Sequence, residues 1–281
     1  MRDDDVEAAH TVMSTAFDAP RGPTTSVTPP PPPNAARSLD RFRHLLHTDP
    51  DGSLVAEVDD AVVGIALSHV RSSAWVLAIL AIDPAFQQQG IGKQLLDRSL
   101  SYGAGAIERA IFSTRDSRAL HRYATAGLAL QPAVRIEGVP RVPIVRSDDA
   151  VIEGSAADLD LVAHIDEELR GANRRDDLAW MLRSGGQTLL LAGEDGYALV
   201  EGGRVGALTA KSPTAARRLF EAVISRCPDG EEVQAGWVSA HQQWAIQTAV
   251  HAGLRIVPGG PIMTDNWRVL SHAYLPNGFF G

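Results

Sequence analysis

Apolar residues recur along the chain at helical and strand spacing, in an order that predicts a mixed α/β fold. Residues 4–17 place Val6, Ala9, Met13 and Phe17 at helical intervals, and residues 39–46 predict a second, short helix. Strands and helices then alternate, with predicted strands at 54–58, 61–70, 75–82, 110–114 and 128–136 and predicted helices at 92–104 and 117–126. Hairpins followed by a β-α-β unit are typical of a mixed sheet.

The same order of elements occurs a second time after a predicted linker at residues 139–147. Predicted helices lie at 156–170, 176–183, 214–226 and 241–252, and predicted strands at 188–192, 196–201, 204–210, 232–239 and 255–263. Both passes close their last helix with Ala-Gly-Leu, at 126–128 and at 252–254. We therefore expect a duplicated domain, with one copy at residues 1–143 and the other at 148–281.

Residues 19–38 interrupt the first pass between its two helices. This segment contains the proline run 29–33 and almost no core-forming side chains. Because such a composition cannot build a core, we expect an extended or mobile loop.

Composition narrows the class of protein. The chain has 281 residues, 44% of them hydrophobic, and a formal net charge of −8. It offers no basic stripe for nucleic acid, and neither an apolar run long enough to span a membrane nor an apolar leader after the acidic start. The single cysteine, Cys227, excludes an internal disulfide and a cysteine metal cage. We expect a cytoplasmic protein that binds no metal, nucleic acid or membrane.

The most informative segment follows the third predicted strand. Asp83-Pro84 ends that strand at Ile82, and Gln87-x-x-Gly90-x-Gly92 leads directly into a helix. Glycines let a ligand approach the backbone, and a helix start presents unpaired N–H donors, so the pattern favours an anion site suited to a pyrophosphate. A plain strand-to-helix turn is the alternative. The segment lacks the third glycine of the dinucleotide fingerprint and the Gly-Lys-Ser/Thr of a Walker loop.

These residues resemble the GNAT superfamily of acyl-CoA-dependent N-acetyltransferases. Its signature Gln/Arg-x-x-Gly-x-Gly/Ala matches residues 87–92, and its Ala-x-x-x-Tyr-x-x-x-Gly-Phe helix is similar to residues 119–128; Gly64 in the middle strand also agrees. The resemblance covers most of residues 4–138. It implies acetyl-CoA as co-substrate and a cofactor-binding set made of Leu80, Ala81, Ile82, Gln87, Gln88, Gln89, Gly90, Ile91, Gly92, Lys93 and Ser117.

The resemblance also implies direct transfer in a ternary complex, in which positioning supplies most of the rate. Backbone N–H groups of residues 80–82 would hold the oxyanion, and Tyr123 would act as general acid or hydrogen-bond the departing sulfur. A half-buried packing role is the alternative for Tyr123. No general base is evident; water, His69, Ser113 or an already neutral amine could serve. The histidines of the two early helices, His10, His44 and His47, are weak acceptor-side candidates.

Three departures from the family pattern stand in the first pass. Only residues 1–3 precede the first helix, so the family's first strand is missing, very short or replaced. Gln88 stands where a glycine is usual. Asp116-Ser117 replaces the usual asparagine, with Ser117 as a candidate substitute.

The second pass resembles the degenerate C-terminal domain of tandem members. Its loop at 211–216 has no glycine and contains Pro213, and Ala249 stands where the tyrosine would be. We expect the aromatic stretch at 267–280 to bury itself against the first domain and cover the edge left by the missing strand.

Two function classes follow. The first is an acetyl-CoA-dependent N-acetyltransferase acting on a small-molecule amine, and the second is a noncatalytic acyl-CoA-binding or regulatory protein. The acceptor stays open among amino sugars, polyamines, amino acid derivatives and protein amines, and a homodimer is also left open.

Overall fold

The computed structural model describes residues 1–18, 35–143, 151–184, 186–266 and 273–281. Spatial contacts divide the chain into two compact units, Met1–Ile111 and Phe112–Gly281. These units are defined by contacts in space, whereas the predicted repeat at 1–143 and 148–281 is defined by the order of helices and strands along the sequence. The predicted loop lies outside the described residues from 19 to 34, and so does the linker from 144 to 147.

The first unit carries helices on an antiparallel sheet that ends in a parallel strand. β1 pairs with β2 and β2 with β3, both antiparallel, whereas β4 runs parallel to β3. The described elements are α1 (Val6–Asp18), α2 (Ala35–Thr48), β1 (Ser53–Val58), β2 (Ala61–Arg71), β3 (Ala74–Ile82), α3 (Ile91–Tyr102) and β4 (Glu108–Phe112).

Helical periodicity accounts for the two early helices. α1 buries Val6, Ala9 and Met13, as its spacing predicts, although Phe17 is 39% exposed. α2 begins at Ala35, earlier than predicted, so the last residues of the expected loop are helical. The reason is that Ser38, Phe42 and Leu45 form one buried face at intervals of four and three, which extends the amphipathic pattern upstream.

A buried carboxylate ties the segment before β1 to the sheet. Asp49 accepts hydrogen bonds from the backbone N–H of Val70 (3.0 Å), from the Tyr102 hydroxyl (2.8 Å) and from the Arg71 guanidinium (2.7 Å). The described residues before β1, 1–18 and 35–52, contain no strand.

The second unit is larger, and most of its strands form one sheet in the order β12-β6-β11-β10-β9-β8-β7. Its described elements are α4 (Ser117–Thr125), β5 (Ala129–Gln131), β6 (Ala133–Gly138), β7 (Ile152–Glu153), α5 (Leu159–Arg170), α6 (Arg175–Arg183), β8 (Thr188–Leu191), β9 (Gly196–Glu201), β10 (Arg204–Ala210), α7 (Pro213–Arg226), β11 (Val233–Ser239), α8 (Gln243–His251), β12 (Arg255–Pro258), β13 (Ile262–Asp265) and β14 (Ala273–Leu275).

The last strand predicted in each pass is in fact two strands. Residues 128–136 divide into β5 and β6 at Pro132, which has no N–H for a ladder, and residues 255–263 divide into β12 and β13 around Gly259 and Gly260. β6 belongs to the first repeat but pairs with β11 and β12 of the second, while β13 of the second pairs with β5 of the first. The two sequence repeats therefore exchange strands.

The position of the final segment corrects a further expectation. β14 pairs antiparallel with β10 inside the second unit, so the described part of the aromatic stretch lies on the second unit's own sheet. The strand partner of residues 273–275 is therefore within the second unit, and residues 267–272 lie outside the described part of the chain. The pairing partner of a three-residue strand cannot be inferred from periodicity, which needs a longer run.

A buried ionic cluster joins α5, α6 and the sheet of the second unit. Asp166 accepts hydrogen bonds from the guanidinium groups of Arg170 (3.2 Å) and Arg174 (2.5 Å) and from the Tyr197 hydroxyl. Asp166 and the Arg174 side chain are fully buried. Burial alone would raise the pKa of Asp166, but the Arg174 and Arg170 charges outweigh it and hold that pKa below its usual range.

Replacing this carboxylate should destabilise the protein strongly. We expect Asp166→Asn to lower the free energy of unfolding by about 3–5 kcal/mol, because two buried guanidiniums lose their counter-charge. Chemical denaturation of both proteins measures the difference. Since the folded pKa is lowered, the advantage of the wild type is complete at neutral pH and shrinks as the pH falls below about 4.

Asp160→Asn is the matched control. Asp160 lies on the same helix and pairs with Arg175, but its side chain is 83% exposed. We expect it to leave stability almost unchanged. Equal losses in the two variants would show that burial of the Asp166 pair is not the cause.

Candidate functional site

The site begins where two parallel strands of the first unit part. β3 and β4 pair at Ala74–Glu108, Trp75–Arg109 and Val76–Ala110, and the pairing stops there although β3 runs on to Ile82. Two residues later, Ala78 is an extra residue opposite β2, because Leu67 pairs with Ile79 and Ser68 with Leu77. A bulge at this point bends β3 away from its neighbour. Among the described residues, no strand pairs with this side of residues 77–82.

The loop after β3 is fixed to the end of that strand by side chains. The Asp83 carboxylate accepts a hydrogen bond from the N–H of Ala85 (2.8 Å), and the Asp83 N–H donates to the carbonyl of Val63 on β2 (2.9 Å). The Gln87 side-chain amide reaches back and donates to the carbonyl of Ile82 (3.1 Å). Gln87, the first residue of the predicted motif, therefore closes the loop and sets its shape.

The start of α3 presents unpaired backbone donors. Gly90 precedes the helix with a left-handed φ of 85° and provides no side-chain cap. Within the described part of the chain, no hydrogen bond engages the backbone N–H groups of residues 88–92, whereas the Gly90 carbonyl accepts from Lys93 (3.0 Å) and Gln94 (3.1 Å). Unpaired N–H groups at the positive end of a helix dipole form an anion site.

Two left-handed residues shape this loop. Gln88 has a φ of 66° and Gly90 a φ of 85°. The left-handed region is unfavourable for a residue with a Cβ, which explains why a glycine is usual in the resembled family where this chain has Gln88. A Cβ built on Gly90 would meet no atom within 4 Å, so the space beside it is open.

α3 packs closely against the sheet at Gly64. A Cβ on Gly64 of β2 would lie 2.9 Å from the Ile82 side chain, 3.1 Å from that of Leu95 and 3.2 Å from that of Ile91. Because Gly64 has no Cβ, the first turns of α3 can pack directly against β2. The glycine thus sets the position of the helix start.

The remaining cofactor-binding candidates of this unit differ in exposure. Ala81, Ile82 and Gly92 are buried, Leu80, Gln87 and Ile91 are half-buried, and Gln88, Gln89, Gly90 and Lys93 are exposed. Lys93 pairs with Asp97 one turn along α3, at 2.6 Å. Leu80, Ala81 and Ile82 lie on the unpaired part of β3, and the motif residues 87–93 follow in one continuous segment.

Ser117 and Tyr123 lie on α4, in the second unit. The Asp116 carboxylate caps this helix by accepting from the Arg118 N–H (2.9 Å), and its pKa is lowered mainly by its side-chain hydrogen bond with Arg118. Ser117 is exposed in the first turn. The described residues offer no hydrogen-bond partner to its hydroxyl.

Tyr123 is the most buried residue of α4. It is 5% exposed, and burial raises its pKa to about 12. A phenol with this pKa stays protonated throughout the neutral range. No described residue hydrogen-bonds the Tyr123 hydroxyl, so its proton is available to a ligand.

The residues proposed for the acceptor side or as a general base differ in burial and in their contacts. His10 makes an edge contact with Phe42, with ring centroids 5.9 Å apart, and burial together with the Arg41 charge lowers its pKa. His69 is 1% exposed on β2. Ser113, the other proposed base, donates its hydroxyl to the carbonyl of Thr114 (3.0 Å).

The corresponding helix start of the second unit is closed. The Ser212 hydroxyl accepts from the N–H of Ala215 (3.2 Å), and Pro213 occupies the first helical position, where it has no N–H. Both nitrogen atoms of Lys211 have partners. Its backbone N–H donates to the Asp195 carbonyl (2.7 Å), and its ammonium pairs with the Glu168 carboxylate (2.9 Å). Ala249, where a tyrosine would be needed, is fully buried.

The sequence analysis identified Asp83-Pro84 as the end of the strand but not Asp83 as the cap of the following turn, and it did not single out Ala78, which provides the bulge in β3. The Asp83-Pro84 pair carries a usable signal, because aspartate before a turn commonly bonds the backbone two residues on. Ala78 carries none, since a bulge depends on the register of the neighbouring strand.

Neither a metal centre nor a membrane span is found in the described residues. They contain no group of three or more His, Cys, Asp or Glu side chains that could hold a metal ion. None of the helices they form is both long and apolar enough to cross a bilayer.

Comparison with known proteins agrees with this geometry. Residues 22–128 match the model of the acetyltransferase (GNAT) family. No curated protein gives a significant sequence match.

Solved structures of GNAT proteins share the fold of the whole chain. A Pyrococcus horikoshii protein proposed to be an acetyltransferase aligns with a TM-score of 0.76 at 21% identity, covering 100% of this chain and 94% of its own. A GCN5-related N-acetyltransferase from Sphaerobacter thermophilus gives 0.60 at 13% identity, covering 95% and 94%. A tandem GNAT protein of the clavulanic acid biosynthesis pathway gives 0.55 at 14%, covering 94% and 95%. The fold is therefore that of tandem GNAT proteins.

The left-handed loop positions predict opposite effects of two substitutions. We expect Gly90→Ala to lower the free energy of unfolding by about 1–2 kcal/mol, because a Cβ is disfavoured at a φ of 85° even in open space. Gln88→Gly should preserve or raise stability, because it removes the same strain at a φ of 66°. Urea denaturation of both variants tests the pair. A stability loss in Gln88→Gly as large as that in Gly90→Ala would contradict the strain argument.

Proposed function

With residues 22–128 matched to the acetyltransferase (GNAT) family, we propose that the chain transfers an acetyl group from acetyl-CoA to the amine of a small molecule. Transfer is direct, in a complex that holds both substrates. The loop and strand edge of the first unit bind acetyl-CoA, and Tyr123 on α4 acts on its departing sulfur, as the resemblance implies.

The observation that carries this proposal is the run of unpaired N–H groups at residues 88–92, at the start of α3. A pyrophosphate accepts hydrogen bonds from such donors, and the helix dipole favours its negative charge. Hydrogen bonds to a charged group are each worth about 1.5–3 kcal/mol. Several of them together suffice to anchor a CoA nucleotide.

The open edge of β3 receives the thioester arm. Beyond Val76 none of the described residues pairs with the strand on the side of β4, so its backbone groups can bond an extended ligand. N–H groups of Leu80, Ala81 or Ile82 would hold the thioester oxygen and stabilise the negative charge that develops on it. Because these donors belong to a packed strand, they need no reorganisation during the reaction.

Tyr123 acts on the departing sulfur. Burial raises the pKa of Tyr123 to about 12, which keeps the phenol neutral and able to donate. As the C–S bond breaks, the thiolate accepts a hydrogen bond from the phenol. Full proton transfer is uphill at this pKa, so stabilisation of the thiolate by the hydrogen bond is the main contribution.

The amine has no dedicated base on β3, whose residues 74–82 include neither a carboxylate nor a histidine. We propose that the attacking amine is already neutral or releases its proton to water, with His69 and Ser113 as the alternative bases. This mechanism favours acceptors of lowered amine pKa and predicts faster reaction as the pH rises toward the pKa of the acceptor amine.

An amine panel tests the function directly. The full chain is incubated with acetyl-CoA and members of each acceptor class, thiol release is followed, and mass spectrometry identifies an acetylated product. A product with an added acetyl group supports the transferase. Tight acetyl-CoA binding without product from any acceptor would favour the noncatalytic acyl-CoA-binding protein instead.

Acetyl-CoA should bind once per chain and depend on the open space at Gly90. We expect Gly90→Val to weaken binding by at least about 100-fold, because the loss of two charged hydrogen bonds amounts to that factor. Isothermal titration calorimetry gives both affinity and stoichiometry. Gly230→Val is the control, since Gly230 has a similar φ of 81° and equally open surroundings in the second unit. Two sites per chain, or equal weakening in both variants, would refute the assignment.

Tyr123→Phe should lower kcat by about 10- to 100-fold, because a hydrogen bond to a charged group is worth about 1.5–3 kcal/mol, while the KM for acetyl-CoA stays nearly constant. The substitution removes the donor and keeps the buried ring. Tyr102→Phe is the control, because the Tyr102 hydroxyl bonds Asp49 and serves the fold. It should reduce stability by about 1 kcal/mol and leave kcat unchanged. An unaltered kcat in Tyr123→Phe, with chemistry rate-limiting, would reduce Tyr123 to a packing residue.

A further inference from the structure

The second unit contains the same parting of strands as the first. β10 and β11 run parallel but pair only at Arg204–Gln234. Two residues later Gly206 is an extra residue opposite β9, because Val205 pairs with Val200 and Ala207 with Leu199. β3 behaves in the same way, with its last pairing at Val76 and its extra residue at Ala78. The gap beside β10 is thus the counterpart of the gap beside β3.

In the second unit this gap is filled by β14. Leu275, Tyr274 and Ala273 pair antiparallel with Leu208, Thr209 and Ala210. Counted from the bulge of each strand, residues 208–210 of β10 correspond to residues 80–82 of β3. The chain's own backbone therefore bonds the positions that, in the first unit, we assign to the thioester arm.

Side chains hold the segment that follows β14 across the gap. The Asn277 amide donates to the carbonyl of Gly206, the bulge residue of β10, at 2.9 Å. On the other side, a Cβ on Gly278 would lie 2.5 Å from the Trp237 indole of β11, so the backbone lies directly on that ring. The segment spans the gap from one strand to the other.

The end of the segment is anchored in the buried ionic cluster. Arg174 donates to the carbonyl oxygens of Phe280 and Gly281, and Asp166 holds the same guanidinium. Phe280 is 1% exposed and packs on Trp180, with ring centroids 5.6 Å apart. These contacts are of the kind that stabilise a protein core.

We propose that residues 273–281 are a built-in segment whose strand, β14, occupies the acyl-carrier slot of the second unit and excludes acyl-CoA from it. The comparison with β3 rests on the proposed function, whereas the occupancy rests on the pairing of β14 with β10. The slot is a site for an extended chain, and its resident ligand is this segment. The Asn277 amide and the Arg174 guanidinium fix its register.

Hydrogen exchange of the full-length chain, with and without saturating acetyl-CoA, tests this assignment. We expect amides of residues 208–210 and 273–275 to be protected in both conditions and unchanged by acetyl-CoA, whereas residues 77–92 slow on its addition. Slowing at 208–210 by acetyl-CoA, or exchange there as fast as in the turn at 228–231, would overturn the inference. Absence of slowing at 77–92 would instead count against the proposed function.

Asn277→Ala tests whether the strand and the slot open together. The variant loses the bond to Gly206 and the two that its oxygen accepts from the N–H groups of Phe279 and Phe280. We expect exchange at 273–275 and at 208–210 to quicken by the same factor, about tenfold or more. Faster exchange at 273–275 alone would overturn the proposal.

Asn173→Ala is the matched control. Its oxygen accepts the N–H of Arg175 at the start of α6, away from the pairing of β14. Exchange at 208–210 and 273–275 should equal that of the wild type. Quickening there as large as in Asn277→Ala would also overturn the proposal, and if Asn277→Ala fails to fold, the wild-type measurement decides.

Discussion

Unpaired backbone is the constraint on which this molecule depends. In each unit two parallel strands start side by side and part just before a bulge in the inner strand, β3 from β4 and β10 from β11. Beyond that point the outer strand no longer pairs with the N–H and C=O groups of the inner strand, and such groups are costly when they are buried without a partner. Each gap must therefore take up something with a matching row of donors and acceptors. An extended ligand and an extended peptide segment meet this requirement equally well.

The start of the helix that follows the inner strand determines whether the gap suits an extended ligand or an extended peptide segment. α3 begins at Gly90 with donors unpaired, and Gly64 lets it pack close to the strand, so an anion can be held beside the gap. α7 begins with Ser212 as cap and Pro213 in the first turn, which leaves little for a phosphate. On the proposed function, a nucleotide-bearing ligand gains its anchor at α3, because the start of α7 is capped by Ser212. In the second unit, a strand held by Asn277 and Arg174 gains from the same gap without needing an anion site.

Local sequence patterns predicted most helices and strands, because the periodicity of either element can be detected within a short segment. The loop at 87–92 was also predictable, since its glycines and its place between strand and helix have a local physical meaning. The exchange of β6 and β13 was missed because strand partners lie more than a hundred residues apart and periodicity does not name them. β14 was assigned to the wrong unit for the same reason. The sequence shows that Gln88 stands where a glycine is usual, but it does not show that this position has a left-handed backbone. That required the structure, in which Gln88 has a φ of 66°.

Loss of chemistry in a duplicated domain does not remove the geometry that the chemistry used. The second unit lacks the cradle glycines and the tyrosine, yet β10 keeps a bulge at the same offset as β3, because that bulge belongs to the sheet. A gap left open in such a unit would expose apolar side chains of the core cluster, to which Ala273 and Leu275 belong. Filling it with covalently attached chain costs less entropy than recruiting a free ligand, since the segment is already present at high effective concentration. The structural role of the second unit thus follows from the same strand separation that makes the first unit a candidate catalyst.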